Sequence, residues 1–317
     1  MRFFLRNWLI GPLWLAALSA AAQPGHDPGL PGASTLSPAE GLAHLEDFRH
    51  ARLKGDFCLR FDLIHYPRGK EEIHFDGVAW GTWTDAGPLT RFQLRPADPK
   101  ATTPPDPAKR DASTWEWLVQ NGPKPHVWVL APGATTAREI PSAEWRQPLF
   151  PGTVYSPFDL LLPFVYWDKF EYEGPKYLHG RVTDYFVMLP PADASPNTPV
   201  VQTSPAAITP ANISATPATG NVPVRIALDR TYKVLMNANQ LDAQRKPLRE
   251  FQVLGLTPIK DEWTFTQLDL LDAVGRDHDR FDITEMVTGL HLDPALFTPS
   301  HLATPAPLPA NASWTRL

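Results

Sequence analysis

The chain has 317 residues, of which 11% are aromatic, and a formal net charge of −5 at pH 7. A mildly acidic chain without runs of Lys and Arg lacks the positively charged patches of proteins that bind nucleic acid or anionic lipid surfaces. The single cysteine, Cys58, cannot form an intramolecular disulfide. A hydrophobic core must therefore hold the fold together, and we predict that Cys58 is a small residue of that core.

The first 22 residues have the pattern of a signal peptide. Two arginines precede an apolar run of about 11 residues, which is well short of the roughly 20 residues needed to span a bilayer as a helix. Small residues then lead to Ala22, as signal peptidase requires. We therefore expect cleavage after Ala22 and an exported, periplasmic protein that does not span the membrane. Residues 23–36 are rich in Gly and Pro, which predicts an extended lead.

A helix is predicted directly after this lead. Ser37 can act as N-cap, Pro38 suits the first helical position, and Glu40 completes a capping box. Apolar residues then recur on one side of a helical wheel as far as about Leu53. We predict an amphipathic helix over this segment, ended by Gly55.

Most of the remaining chain has the period of β-structure. Alternation of apolar and polar residues begins at Phe57 and recurs in about eleven short segments, which polar turns separate. One of these segments is residues 166–172. Residues 96–113 are dominated by Pro, Asp, Lys and Thr, which predicts a long exposed loop. The expected fold class is mainly β, with an antiparallel sheet.

A second, shorter helix interrupts the strands. Ser156 and Pro157 have N-cap and first-turn chemistry, leucines follow, and Pro163 ends the helix. Residues 191–221 are nearly all Pro, Ala, Thr, Ser and Asn, which predicts a disordered insertion within one domain covering residues 37–302. The Pro- and Ala-rich tail, residues 303–317, is expected to be flexible.

Catalytic and metal motifs are hard to find. The ten histidines show no zinc-site spacing, so no metal or cofactor is expected. The densest polar cluster, residues 276–279, is interpreted as a solvated hairpin turn rather than a metal loop. Two distant carboxylates could still form a glycosidase pair, but no sequence feature selects one. No nucleophile elbow or phosphate-binding glycine loop is present. We predict that the protein is not an enzyme.

The eleven tryptophans are more informative. They can be ordinary core residues or can line a concave binding face. In the strand at residues 126–130, valines occupy one face while Trp128 and Leu130 occupy the other. A sheet that is apolar on both sides must be covered on both sides or leave one side for a ligand.

The order of features from residue 40 to residue 302 resembles the LolA-like group of outer-membrane lipoprotein-sorting proteins, especially its larger relatives. The resemblance is carried by the segments 148–153, 155–161, 170–172, 180–188, 224–229, 234–242, 248–251, 263–270, 281–284 and 296–298. It implies an open, strongly curved antiparallel half-barrel, with helices packed on its concave side as a lid. It also implies a soluble carrier that shelters lipoprotein acyl chains in an apolar cavity.

On this reading the partners are lipoprotein acyl chains or another lipid, together with envelope membrane proteins. The candidate ligand-binding residues are the tryptophans and apolar residues expected on the concave face and in the lid: Trp80, Trp117, Trp128, Leu161, Phe164 and Trp167. Two alternatives stay open. One is a non-catalytic interaction module whose cavity is filled by its own side chains, and the other is a hydrolase of an envelope polymer.

Overall fold

The structure is a computed structural model that describes residues 34–97, 110–191, 222–259, 262–310 and 312–317. Strands are the main regular secondary structure of these residues. The predicted signal peptide lies outside these residues. The described strands are β1 (Asp56–Tyr66), β2 (Ile73–Thr84), β3 (Gly87–Pro96), β4 (Trp115–Gln120), β5 (His126–Leu130), β6 (Arg138–Glu139), β7 (Lys169–Leu178), β8 (Arg181–Leu189), β9 (Val224–Asp229), β10 (Leu235–Leu241), β11 (Pro247–Ile259), β12 (Glu262–Asp272), β13 (His278–Leu290) and β14 (Thr315–Arg316).

All of these strands belong to one antiparallel sheet. Its order is β6-β5-β4-β3-β2-β1-β13-β12-β11-β10-β9-β8-β7, and β14 pairs with β13. Strands that are consecutive in the chain lie side by side, with the exception of β6 and β7, and the pairing of β1 with β13 joins the two halves of the sheet. The edge strands β6 and β7 do not pair with each other in the described residues, so the sheet is open. The predicted class, a curved antiparallel half-barrel, is confirmed, with fourteen strands rather than about eleven.

The sheet order determines where the chain must cross. β6 and β7 are consecutive in sequence but lie at opposite edges of the sheet. The connection between them, residues 140–168, therefore passes over one face of the sheet. We call residues 140–168 the crossover segment and the face that it covers the inner face. The crossover segment contains the short helix α2 (Pro157–Leu161).

Both predicted helices are present, with the predicted caps. In α1 (Pro38–His50) the Ser37 side chain accepts a hydrogen bond from the Glu40 amide, and the Glu40 carboxylate accepts one from the Ser37 amide. The helix ends three residues earlier than predicted, because Ala51 adopts an extended conformation. In α2, Ser156 and Asp159 form a second capping box. It ends at Leu162, which has the left-handed conformation (φ 45°) and precedes a proline.

The strand predicted at residues 166–172 begins and ends later. Residues Pro163–Tyr166 form a 3-10 turn, and β7 starts at Lys169. The strand continues past Gly174, where the register shifts and φ is 94°. Pro175 fits here because β7 is an edge strand, on which a missing N–H is tolerated. Residues 98–109 of the predicted exposed loop and residues 192–221 of the predicted insertion lie outside the described residues.

Each face of the first half of the sheet carries its own apolar cluster. Leu59, Phe61 and Leu63 of β1 belong to a cluster on the inner face. Cys58, which directly precedes Leu59, is fully buried in a cluster on the opposite, outer face, and this confirms the predicted core position. Successive side chains of a strand point to opposite faces, so one strand serves both clusters.

The outer face is covered by the C-terminal part of the chain. Leu302 and Ala306 are fully buried there, and Phe297 is nearly so. The tail predicted to be flexible thus packs on the sheet over its first residues, and β14 adds two further pairs to β13. We call residues 291–317 the C-terminal cover. No helix of the described residues is long and apolar enough to cross a membrane.

Candidate functional site

A small cavity lies between the inner face and the crossover segment. The sheet contributes Phe61, Leu63, Phe92, Leu94, Trp117 and Phe281 to its lining. The crossover segment contributes Leu149, Phe150, Tyr155 and Leu160. Nearly every lining group is a hydrocarbon or an aromatic ring, so the cavity suits an apolar guest.

The volume of this cavity is about 40 Å³. By comparison, an engineered apolar cavity that binds benzene has a volume of about 150 Å³. Aromatic side chains fill much of the space between the sheet and the crossover segment. The ring of Phe61 stacks on that of Phe281 with 4.3 Å between the ring centres, and Phe150 packs edge-on against Trp117 at 5.8 Å. An acyl chain therefore enters only if the crossover segment moves away from the sheet.

A buried carboxylate ties the crossover segment to the sheet. Asp279 of β13 is fully buried, and one of its oxygens accepts hydrogen bonds from the Val154 and Tyr155 amides, both at 2.7 Å. Its other oxygen lies 2.6 Å from Nδ1 of His65 on β1. The backbone at residues 154–155 is thus held by a group on the adjacent strand pair β1 and β13.

An ion pair makes a second tie. Arg249 of β11 donates to Asp159 of α2 at 2.7 Å and also to the carbonyl oxygen of Val154. Asp159 is buried and accepts a further bond from the Ser156 amide at 2.9 Å. The same carboxylate therefore caps α2 and fixes it to the sheet.

Further polar contacts flank this ion pair. Arg146 donates to the side-chain oxygen of Gln240 on β10 at 2.6 Å, and its guanidinium lies 4.0 Å from the centre of the Phe158 ring. Burial lowers the pKa of Arg146 to about 10. The Asn121 amide group donates to the carbonyl oxygens of Leu160 and Leu161, each at 2.8 Å. The crossover segment is thus held by individual polar contacts rather than by strand pairing.

A second polar cluster holds α1 on the other half of the sheet. Asp184 of β8 is fully buried and accepts hydrogen bonds from Arg230 and from the Tyr172 hydroxyl, the latter at 2.7 Å. His44 of α1 lies 3.1 Å from the same carboxylate. Despite its burial, the hydrogen bonds from Arg230, His44 and Tyr172 keep the pKa of Asp184 below its usual range. This cluster anchors α1 and lies apart from the residues that line the cavity.

The predicted ligand-binding residues divide among three places. Trp117 lines the cavity, and Leu161 is fully buried in the same inner-face cluster. Phe164 and Trp167 lie under α1 in a neighbouring cluster, with their rings 6.5 Å apart. A ligand-binding role for these four residues stays a prediction.

Trp80 and Trp128 lie on the outer face instead. Trp80 is fully buried, and its ring nitrogen donates to the carbonyl oxygen of Pro307 in the C-terminal cover at 3.1 Å. Trp128 lies one position from Val127 and Val129, which belong to the inner-face cluster. These two tryptophans are therefore separated from the cavity by the thickness of the sheet.

The polar cluster at residues 276–279 was predicted to be a solvated hairpin turn, and the structure differs from this prediction. Residues 273–275 form the turn, whereas His278 and Asp279 begin β13. Asp279 is not solvated, because the crossover segment and His65 cover it. In the described residues, no group of three His, Cys, Asp or Glu side chains is placed to hold a metal ion.

Several site residues were not singled out from the sequence. Phe61 and Leu63 are visible in the alternation of β1, but Phe150 and Tyr155 lie in a segment without periodicity. The His65–Asp279 contact joins positions 214 residues apart, and no local pattern predicts such a pair.

The strand order, the open edges and the crossover segment define an open antiparallel half-barrel closed on one face by its own chain. No family model and no curated protein matches the sequence. Solved structures do match. A DUF1329 family protein from Desulfovibrio piger has 13% identity and a TM-score of 0.63, and the match covers 83% of this chain and 98% of that one.

A domain from Vibrio parahaemolyticus, described as an outer membrane lipoprotein-sorting protein, has 11% identity and a TM-score of 0.61, with 83% and 97% covered. A LolA superfamily protein from Nitrosomonas europaea has 10% identity and a TM-score of 0.50, with 83% and 98% covered. At these identities the likeness is one of fold. The predicted resemblance to LolA-like proteins is confirmed at that level.

Proposed function

We propose that this protein is a non-enzymatic periplasmic carrier that binds the acyl chains of a lipid or lipoprotein between the inner face and the crossover segment. The observation that carries the proposal is the cavity. The lining of the cavity is almost wholly apolar. The sheet contributes one side of this lining, and the crossover segment contributes the other. A guest held there would be sheltered from water on both sides.

Two further points support the proposal. The solved structure from Vibrio parahaemolyticus, which shares the fold, is described as a lipoprotein-sorting domain. The N-terminal 22 residues have the pattern of a signal peptide, which would deliver the protein to the compartment where lipoproteins travel. We infer the same broad role for this chain.

The free energy gained on loading an acyl chain can be compared with the free energy that holds the crossover segment in place. Each buried methylene contributes about 0.8 kcal/mol, so about ten methylenes contribute roughly 8 kcal/mol. Asp279 accepts hydrogen bonds from the crossover segment, and Arg249 and Asn121 donate to it; bonds of this kind contribute about 1–3 kcal/mol each. The two quantities are of the same order, and exposure of the buried apolar side chains of the crossover segment, Phe150 and Leu161 among them, adds to the cost of opening.

The proposal can be tested by the transfer of radiolabelled phospholipid from vesicles to the protein. Leu160 lines the cavity but is only partly buried, so Leu160→Asp places a charge at the site with little damage to the core. Leu254, 42% exposed on β11, provides the matched control Leu254→Asp. We expect Leu160→Asp to reduce lipid uptake at least tenfold and Leu254→Asp to leave it unchanged. Equal uptake by both variants would remove the cavity from the proposal.

One observation favours a second candidate, a non-catalytic interaction module with a self-filled core. The cavity volume of about 40 Å³ is small, and stacked aromatic rings fill the space around it. If the crossover segment stays closed, the inner face is simply the core of the domain. Wild-type protein that takes up no lipid in the transfer assay would favour this candidate.

A further inference from the structure

Two buried glycines of β2 lie directly under phenylalanine rings of β1. Gly77 is paired with Phe61, and Gly81 is paired with Phe57. A methyl group at Gly77 would lie 2.1 Å from Cζ of Phe61, and one at Gly81 would lie 2.1 Å from Cζ of Phe57. Carbon atoms that are not bonded to each other pack at about 3.5–4.0 Å. Each ring therefore occupies the space that a side chain on β2 would need.

The two rings differ in what lies beside them. Phe61 lines the cavity, whereas Phe57 is partly buried and packs against the inner-face cluster. Phe281 of β13 stacks on the Phe61 ring with 4.3 Å between the ring centres, and Phe92 of β3 packs edge-on against it at 6.3 Å. Phe281 and Phe92 also line the cavity. The three rings thus form the sheet side of the cavity, and Gly77 lets Phe61 lie close to the backbone of β2.

The opposite side of the cavity is held close to the sheet by aromatic contacts. Phe150 of the crossover segment stacks on Phe75 with 5.6 Å between the ring centres, and it packs edge-on against Trp117 at 5.8 Å. The space between the two sides is therefore narrow, in agreement with a volume of about 40 Å³. Close-packed apolar sites respond to a change of a single methylene group. The height of the Phe61 ring above the sheet therefore bears on which chains fit.

A side chain at Gly77 would change that height. Phe281 and Phe92 flank the Phe61 ring and restrict its sideways movement. A ring that is displaced from Gly77 therefore moves away from β2 and into the cavity that it lines. Removal of the ring would have the opposite effect and widen the cavity.

We propose that Phe61, seated on Gly77, sets the width of the chain that the cavity admits, so that the site selects an unbranched acyl chain over a methyl-branched one. Phe61 is the specificity-determining residue because it lines the cavity, and Gly77 is a positioning residue that acts through it. This inference rests on the proposed function and deepens it, because it specifies the class of acyl chain.

The test compares two lysophosphatidylcholines with the same head group. One carries a palmitoyl chain, and the other carries a phytanoyl chain, which has the same backbone length and additional methyl branches. Binding of each radiolabelled lipid to the full chain is measured by equilibrium dialysis below the concentration at which the lipid forms micelles. We expect wild-type protein to bind the palmitoyl lipid at least about tenfold more tightly, because even one extra methylene in an apolar pocket changes affinity by this order.

Substitutions at Phe61 and Gly77 should act in opposite directions. We expect Phe61→Leu to bind the phytanoyl lipid more tightly and to reduce the preference to about threefold or less. Gly77→Ala should weaken binding of the palmitoyl lipid at least about tenfold, because the raised ring fills the cavity. The double variant Gly77→Ala with Phe61→Leu should recover most of that binding.

Gly81→Ala is the matched control. It creates the same close approach to a phenylalanine ring, but the ring of Phe57 packs beside the inner-face cluster rather than at the cavity. We expect Gly81→Ala to lower the Tm about as much as Gly77→Ala and to bind both lipids as wild type does. If Gly77→Ala does not fold, the change of preference in Phe61→Leu decides the question.

Failure of the two proposals can be told apart. If wild-type protein binds neither lysolipid, the proposed carrier function fails. If it binds both chains equally well, or if Phe61→Leu keeps the full preference, the role of Phe61 is wrong while lipid binding stands. Equal losses of palmitoyl binding in Gly77→Ala and Gly81→Ala would show that lower stability is the cause, and would overturn the role of Gly77.

Discussion

His65 and Asp279, on adjacent strands at the centre of the sheet, bring an imidazole nitrogen and a carboxylate oxygen within 2.6 Å of each other. The other oxygen of Asp279 holds the amides of Val154 and Tyr155. The junction of the first and the last long strand is therefore also a point where the crossover segment is attached. One buried side chain, Asp279, links the β1–β13 pair to the segment that covers the cavity.

Replacement of Asp279 should release this attachment. We expect Asp279→Asn to lower the free energy of unfolding by about 2–3 kcal/mol, because hydrogen bonds to a charged group are lost or weakened. Amide hydrogen exchange at residues 154 and 155 should also become faster. Urea unfolding and exchange mass spectrometry measure the two effects. Asp277→Asn, which changes an exposed partner of the Arg68 amide, is the control. An unchanged exchange rate in Asp279→Asn would contradict the assigned role.

The buried ion pair of Arg91 and Glu116 should be essential to the C-terminal cover. Both side chains are fully buried, and Arg91 also donates to the carbonyl oxygens of Leu302 and Thr304. We expect Arg91→Leu to cost about 3–5 kcal/mol, because Glu116 is left as an unpaired buried charge. Arg91→Leu with Glu116→Leu should recover part of that loss. Chemical denaturation of both variants is the measurement, and a double variant as unstable as the single one would count against the explanation.

Cys58 should be inert in the native protein. It is fully buried under the outer-face cluster, and burial raises the pKa of its thiol to about 12. Only the thiolate reacts readily. At pH 8, a thiol reagent should modify native wild-type protein far more slowly than urea-unfolded protein. Rapid labelling of the native protein would mean that the C-terminal cover opens often.

Removal of a carboxylate from the outer face of the sheet should stabilise the protein at neutral pH. Asp62 lies directly opposite Asp76 on one side and Asp282 on the other. Partial burial, and then these two neighbours, raise the pKa of Asp62 above its ordinary value. The ionised form is thus the disfavoured one in the folded state. Its cost is present at pH 7 and disappears as the pH falls through the raised pKa.

We therefore expect Asp62→Asn to increase the free energy of unfolding at pH 7 by about 0.5 kcal/mol, an amount limited by solvent screening. The gain should vanish near pH 3, where wild-type Asp62 is protonated. Thermal unfolding at the two pH values measures the difference, with the exposed turn variant Asp85→Asn as control. A gain of equal size at both pH values would rule out charge repulsion as its cause.

The local elements could be predicted because short-range chemistry determines them. The capping box at Ser37 predicted the first helix, and the N-cap Ser156 followed by Pro157 predicted the second. The alternation in β1 predicted a half-buried strand. The pairing of β1 with β13 could not be predicted in the same way, because it joins segments more than 200 residues apart. The attachment of the crossover segment through Asp279 depends on that pairing.

The candidate site shows the same limit. The sequence identifies tryptophans as large apolar residues, but the face on which each one lies depends on the register and on what covers the sheet. Trp117 faces the cavity, whereas Trp80 and Trp128 face the C-terminal cover. The composition of that cover, rich in Pro and Ala, predicts a loose tail, yet Leu302 and Ala306 are fully buried. Isolated buried residues of this kind leave no periodic pattern in the sequence.

The most direct test of the carrier proposal is native mass spectrometry of the protein, expressed in a Gram-negative host and purified without detergent. We expect a stoichiometric adduct with the mass of a lipid that carries acyl chains in wild-type protein, and its absence in Leu160→Asp. A wild-type protein that shows only its own mass, even after incubation with phospholipid and lipoprotein, would contradict the proposal.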